Sequence, residues 1–251
     1  MKTPRRLSLS VVPGIPLLLP GDDLGAIILT ALGRAGLVLD DGDIVVVAQK
    51  AVSKAEGRVV ELHGIKASQR AVEIAAGERD PREIEVILGE AKRVVRERGP
   101  LVITETEHGF ICASAGVDHS NAPGPGLLVL LPVDPDASAR RIRDRVAELT
   151  GARVGVIVTD SFGRPFRQGT TDVAIGVAGF DPILDLRGTK DRIGYELRAS
   201  RTAIADEIAG AADLARGKAE GVPAVIVRGL ALQGDGSGQD IVIEPELDLF
   251  A

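Results

Sequence analysis

Three aspartates of this chain lie at or inside apolar, strand-like runs, each with hydroxyl or polar neighbours. Val154-Gly155-Val156-Ile157-Val158 leads into Thr159-Asp160-Ser161, and the residues that follow are dense in Gly, Arg, Gln, Thr and Asp. Phe110-Ile111-Cys112 leads into a stretch of small residues that carries Asp118, His119, Ser120 and Asn121, the only asparagine in the sequence. Asp172 sits at the start of a third such run. Two carboxylates on separate strand ends, with the hydroxyls of Ser161, Thr170 and Thr171 nearby, suit Mg²⁺ or Mn²⁺. Hard cations want oxygen ligands, and magnesium takes one or two carboxylates and fills its shell with phosphate oxygens and water. Paired carboxylates also serve as the acid and base of a hydrolase, but the neighbouring arginines would keep both ionised, which argues against that use. Each segment has a plainer structural reading as well. Asp160 and Ser161 suit a helix cap ahead of a solvated turn, and Asp118 to Asn121 suit an Asx-turn before Pro123-Gly124-Pro125-Gly126.

Gln49-Lys50-Ala51-Val52-Ser53-Lys54 follows another apolar run, Asp43 to Ala48. A lysine just past a strand reaches phosphates, and Ser53 can donate a hydrogen bond; a solvated lysine is the alternative. Neither a GxxxxGK[ST] loop nor a strand-linked GxGxxG is present, so the familiar nucleotide folds are not signalled. Arg164 and Arg167 suit a clamp on a carboxylate or phosphate. Gly234-Asp235-Gly236-Ser237-Gly238 reads as a flexible turn. Cys112 is the sole cysteine, which excludes an internal disulfide and a cysteine-based zinc site, and its apolar neighbours make it a buried small hydrophobe rather than a nucleophile. His63, His108 and His119 lack the i, i+4 spacing of a histidine metal site.

The elements that must hold these groups alternate between strands and helices. Strands are expected over 7–12, 43–48, 101–104, 110–113, 127–131, 154–158, 172–177 and 224–227. Helices are expected from the Asp22-Asp23 cap through Ala35 and over 68–76, 81–98, 136–149 and 202–215. This predicts an α/β (α+β) chain of 251 residues forming a single domain of two intimately joined lobes, with a hinge near 122–126. The net charge of −6 without a recurring basic cluster excludes a nucleic-acid footprint, and 2% aromatic residues with no Trp leave no stacking platform for single strands. The Leu17-Leu18-Leu19 run is short and broken by prolines, so neither a signal peptide nor a membrane span is expected, and a cytoplasmic protein follows.

Together these segments resemble the coenzyme F420:γ-glutamyl ligase family. The resemblance runs from Gly14-Ile15-Pro16 and Pro20-Gly21-Asp22-Asp23-Leu24 through Val52-Ser53-Lys54, Ala115 to Asn121 and Leu131-Pro132-Val133-Asp134-Pro135-Asp136. It continues through Thr159 to Arg164, Gly169-Thr170-Thr171-Asp172, Ala205-Asp206-Glu207-Ile208 and Val227-Arg228-Gly229. Each motif alone is weak, and their order and spacing are specific. The resemblance implies a GTP-dependent amide ligase that adds L-glutamate to the coenzyme precursor F420-0, with Mg²⁺ or Mn²⁺ and often K⁺. It implies a two-lobed mixed-sheet fold that forms an intertwined homodimer. Carried onto matching positions, it makes Asp118 and Asp160 ligands of the divalent metal and Ser161 a hydroxyl ligand where the family usually has Thr. Lys54 then contacts the nucleotide phosphates and Asn121 the nucleotide, while Ile15, Pro16, Leu17 and Leu18 touch it largely through backbone. Gln49 replaces a more usual Ser, and Gly217-Lys218 border the nucleotide. Some relatives carry a further C-terminal flavin-binding domain, which a chain ending at Ala251 is expected to lack.

The expected chemistry is acyl phosphorylation of the acceptor by GTP followed by attack of the glutamate amine, with Asp118 and Asp160 serving the phosphates and Arg164 and Arg167 orienting an anionic substrate. A metal-dependent nucleotide phosphohydrolase and a non-catalytic GTP-binding module are the alternatives.

Overall fold

The computed structural model describes residues 6–217 and 220–248. The chain begins with β1 (Ser8–Val11), α1 (Leu24–Arg34), β2 (Ile44–Ala48), α2 (Gln49–Ala55) and β3 (Val59–Glu61). It continues through α3 (Gln69–Ala75), α4 (Pro81–Glu90), β4 (Ala91–Arg98), β5 (Leu101–Thr106), β6 (Ile111–Ala113) and β7 (Leu127–Val129). The last third holds α5 (Pro135–Thr150), β8 (Gly155–Arg164), β9 (Arg167–Ala178), β10 (Leu184–Asp185), β11 (Arg201–Thr202), α6 (Ile204–Arg216) and β12 (Ala224–Arg228).

Strict alternation along the apolar strands builds the larger lobe. Its five-stranded sheet has the order β1-β12-β2-β8-β9, and only β2 and β8 run parallel. Val45 and Val47 of β2 and Val156 and Val158 of β8 join one apolar cluster with Ile28 and Leu32 of α1 and Ala139 and Ile142 of α5. Ile44, Val46 and Ile157 point the other way and join Ala205, Ile208 and Ala212 of α6. Because side chains alternate faces along a strand, a sheet covered on both sides reads as the continuous β-branched runs seen in the sequence. The smaller lobe has its own core: Ala71 and Ile74 of α3, Ile84 and Ile87 of α4, Val102 of β5 and Leu128 of β7. Around it lie the β4-β5-β6 sheet and the β3-β7 pair.

Caps fall where side-chain chemistry asks for them. The Asp23 carboxylate accepts the Ala26 N–H at 3.0 Å and starts α1, and Asp134 accepts the Ala137 N–H at 2.8 Å and starts α5. Asp136, in the first turn of α5 and buried, accepts the N–H groups of Val177 and Gly238, both at 2.7 Å, and so ties the helix to β9 and to the C-terminal segment. At Gly176 the backbone of β9 lies directly on the start of α5, and a Cβ there would overlap the Pro135 carbonyl. We therefore expect Gly176→Ala to cost about 1–3 kcal/mol, as overpacking does, read as a lower denaturation midpoint with an unchanged slope.

Two sequence expectations are corrected. The helix expected over 81–98 ends at Glu90, and β4 takes over from Ala91. The segment AKRVVRER sets the β-branched pair Val94 and Val95 among charged residues, and its pairing with β5 brings Lys92 and Arg93 onto Glu105 at 2.8 and 2.5 Å. Cross-strand pairing thus overrides a pattern that local propensity reads as helix. The strand expected to stop at Val158 runs on to Arg164 as one arm of a long hairpin with β9, so Asp160 and Ser161 lie in the strand and cap no helix. Among smaller differences, Gln49 to Ala55 is a helix, and Thr202 belongs to β11 while α6 starts at Ile204.

Candidate active site

The parallel pairing of β2 with β8 ends at Ala48 and Thr159. At that edge β2 turns straight into α2, and β8 goes on alone with β9 through a register shift at Val158–Thr159. The carboxyl ends of two parallel strands therefore open onto one cavity, as is usual for ligand sites in α/β sheets. Its volume is about 400 Å³, within the range of small-molecule sites. One wall is Ile15 to Leu18, another is α2 with Gln49, Lys50 and Lys54, a third is Thr159, Asp160 and Ser161 with Asp172, and Asn121 and Gly217 close it.

Asp118 is delivered by a tight left-handed turn. Ser114, Ala115 and Gly116 have φ of 54°, 51° and 71°, and the Ala115 N–H donates to the buried Thr104 hydroxyl at 2.9 Å. Beyond it, the backbone of Asp118 exchanges two hydrogen bonds with Val129 of β7, at 3.0 and 2.9 Å. This fixed backbone aims the carboxylate at α2, where Lys50 Nζ donates to Asp118 Oδ2 at 2.6 Å and to Ser120 Oγ at 2.5 Å. Burial pushes the Asp118 carboxyl up, and the Lys50 ammonium with the Ser120 N–H outweighs it, leaving the group below the usual carboxylate range.

Asp160 behaves in the opposite way. Burial pushes its carboxyl up to about 7, aided by the charges of Asp172 and Asp118 and opposed by the Ser161 N–H and Lys50. Lys54 lines the same cavity, and no acid pairs with it among the described residues; burial first, and then Lys50, holds its ammonium below the usual lysine value. A half-buried carboxyl and an ammonium without an acid partner, lining one cavity, form a site suited to a charged ligand.

Arg216, at the end of α6, anchors this wall. It pairs with Asp172 and donates to the Thr159 hydroxyl at 3.2 Å, while the Ser161 hydroxyl donates to the other Asp172 oxygen at 2.6 Å. The side chains of Asp172 and Arg216 are 1% and 8% exposed. The arginine thus neutralises the third acid and fixes the direction of the Ser161 proton. That leaves an oxygen lone pair on Ser161 for another partner.

Most of the expected site residues converge. Ile15, Pro16, Leu17, Leu18, Gln49, Lys54, Asn121, Asp160, Ser161 and Gly217 all line the cavity, and Asp118 reaches it through Lys50. Gln49 is spent on structure: its amide donates to Ser53 Oγ and to the Leu130 carbonyl, both at 2.8 Å, and so ties α2 to the smaller lobe. Asn121 adopts φ of 57° in the turn and lines the cavity. Arg164 stands apart at the exposed tip of the β8–β9 hairpin, where it donates to the Gln168 carbonyl at 2.8 Å. Lys218 lies outside the described residues. Sequence reasoning did not single out Arg216 or Asp213, which lines the cavity 3.3 Å from Arg216, because only tertiary packing brings the end of α6 to β8.

Oxygen donors that could hold a hard cation are the Asp160 carboxyl and the Ser161 hydroxyl, which line the cavity, and the Asp118 carboxylate, which lies behind Lys50. Among the described residues no three His, Cys, Asp or Glu side chains gather as a metal-holding group. The histidines lie apart: His119 Nε2 is 3.0 Å from Glu83, and His108 Nε2 is 3.0 Å from the Pro132 carbonyl. Cys112 is buried, and burial followed by the charge of Asp160 pushes its thiol up to about 12, so it is no nucleophile. No helix among the described residues is long and apolar enough to cross a membrane.

The comparison with known proteins adds a family. The family model described as F420-0:Gamma-glutamyl ligase matches residues 14–229, which takes in every wall of the cavity. The coenzyme F420:L-glutamate ligase of Methanothermobacter thermautotrophicus is 46% identical over 97% of this chain and 98% of its own length. That of Methanocaldococcus jannaschii is 46% identical over 84% and 86% of the two chains, and that of Archaeoglobus fulgidus 42% over 98% and 96%. A match of this extent, with the cavity residues inside it, makes the chain a member of the F420-0:γ-glutamyl ligase family.

Proposed function

We propose that this protein joins L-glutamate to coenzyme F420-0, and to the monoglutamyl product F420-1, as a GTP-dependent amide ligase releasing GDP and phosphate. The observation that carries this reading is that the Lys54 ammonium, without an acid partner among the described residues, and the half-buried Asp160 carboxyl line one cavity. Phosphoryl transfer needs positive charge on the phosphates together with oxygen ligands for a cation. Ile15 to Leu18, Asn121 and Gly217 surround the nucleotide, and Lys54 meets its phosphates. Asp118, Asp160 and Ser161 would hold Mg²⁺ or Mn²⁺, which when bound neutralises charge building on the phosphates, with K⁺ as a further stimulant.

A free carboxylate is a poor electrophile at neutral pH, so the acceptor must be activated. Its carboxylate oxygen attacks the γ-phosphorus, the bond to GDP breaks, and an acyl phosphate forms. The free amine of glutamate then attacks the acyl carbon, phosphate leaves with the carbon–oxygen bonding pair, and the amine proton passes to phosphate or water. The site must close far enough to keep bulk water from the acyl phosphate. Arg164, exposed at the hairpin tip, steers the anionic acceptor from outside the cavity. The working unit is a homodimer; Ile193 and Tyr195, 89% and 62% exposed on the excursion between β10 and β11, provide apolar surface for it to bury.

Mass spectrometry of the protein incubated with F420-0, L-glutamate, GTP and Mn²⁺ tests the reading. Stepwise glutamyl products with matching GDP are expected. GDP without a glutamyl product would make the protein a phosphohydrolase, and neither product would leave it a binding module.

A further inference from the structure

The acid that would hold the divalent cation is already holding a cation of the protein's own. Asp118 Oδ2 accepts from Lys50 Nζ at 2.6 Å and from Ser120 Oγ at 3.0 Å, and Asp118 Oδ1 accepts the Ser120 N–H at 2.7 Å. Lys50 is mostly buried at this contact, and its charge acts on Asp160 as well as on Asp118. Lys50 also lines the cavity, whereas Asp118 is not part of its wall. The ammonium therefore stands between the cavity and the Asp118 carboxylate. Neither its position on α2 nor the backbone of Asp118 has slack: Gln49 ties the start of the helix to Leu130, and Val129 ties Asp118. The flexible part of the arrangement is the lysine side chain.

We infer that Lys50 is a built-in placeholder for the divalent cation, displaced from Asp118 when the metal binds and turned into the cavity to meet the phosphates of the incoming nucleotide. This rests on the metal assignment within the proposed function but not on the ligase products. Its physical content is a coupling. Metal binding alone leaves the Lys50 ammonium stripped of its carboxylate partner in a mostly buried position, which is costly. With nucleotide present, phosphate oxygens replace that partner. Metal and nucleotide then help each other bind, and by linkage the help is mutual. Lys54, one helical turn further along α2 and without an acid partner, takes no part in the exchange.

The test is Mn²⁺ binding followed by the electron paramagnetic resonance signal of the free ion, with full-length protein and no nucleotide. Wild type, Lys50→Met, Lys50→Arg and Lys54→Met are compared, each checked for folding by its thermal transition. Lys50→Met should tighten Mn²⁺ binding by about fivefold or more, the low end of typical coupling between sites. Lys50→Arg keeps a cation on Asp118 and should stay close to wild type. Lys54→Met removes the same charge without freeing Asp118, and it should shift the affinity clearly less than Lys50→Met does. Unchanged or weaker Mn²⁺ binding by Lys50→Met overturns the inference. Equal tightening by Lys50→Met and Lys54→Met also overturns it, because the effect would then be one of net charge alone. Failure of the ligase assay with the Lys50→Met shift intact would sink the proposed reaction and leave the placeholder standing.

Discussion

Asp160→Asn is expected to lower glutamyl transfer by about a thousandfold while the protein stays folded. A bound cation contributes several kcal/mol to a phosphoryl-transfer transition state, and about 1.4 kcal/mol is tenfold in rate. The fold should tolerate the change because an asparagine oxygen still accepts the Ser161 N–H, and the substitution removes a charge whose burial is already resisted, as its rise to about 7 shows. Steady-state turnover with saturating GTP and Mn²⁺, set beside a thermal melt, reads both halves. Near-native turnover would remove Asp160 from the metal site. A lost thermal transition would make it a structural residue instead.

The second large effect concerns stability. Arg216→Met should destabilise the protein by about 3–5 kcal/mol, the typical cost of removing one partner of a buried ion pair. Asp172 is left 1% exposed and unneutralised, and Thr159 and Ser161 lose the frame that orients them. For a domain of this size the melting temperature should fall by roughly 10 °C. The double variant Asp172→Asn/Arg216→Met removes both charges and should recover much of the loss, because the cost comes from the stranded charge and not from the missing pair. If the double variant is no more stable than the single one, Arg216 contributes through packing alone.

How far the sequence discloses this protein depends on which forces act locally. The strands of the larger lobe were legible because burial on both faces leaves continuous β-branched runs, as at Val45 to Val47 and Val156 to Val158. The cap at Asp23 was legible because a short oxygen side chain before an apolar helix has a mechanism attached to it. The segment from Ala91 to Arg98 was not, since its charges pair across to Glu105 and nothing within those residues reports the partner. Asp160 was legible as a site residue and not as a strand residue: the partner that extends β8 past Val158 is the far arm of the same hairpin. In the sequence the lysine next to Gln49 suits a phosphate contact or a solvated side chain alike, and its grip on Asp118 emerges only from a contact spanning 68 positions.

The most direct test of the account follows oxygen. F420-0 carrying ¹⁸O in its free carboxylate is incubated with GTP, L-glutamate and Mn²⁺, and the phosphate released is analysed by mass spectrometry. Attack of that carboxylate on the γ-phosphorus predicts one ¹⁸O in each phosphate, released in step with the glutamyl product. Glutamyl product accompanied by unlabelled phosphate would contradict the account, because the acceptor would then have been activated without ever joining the phosphoryl group.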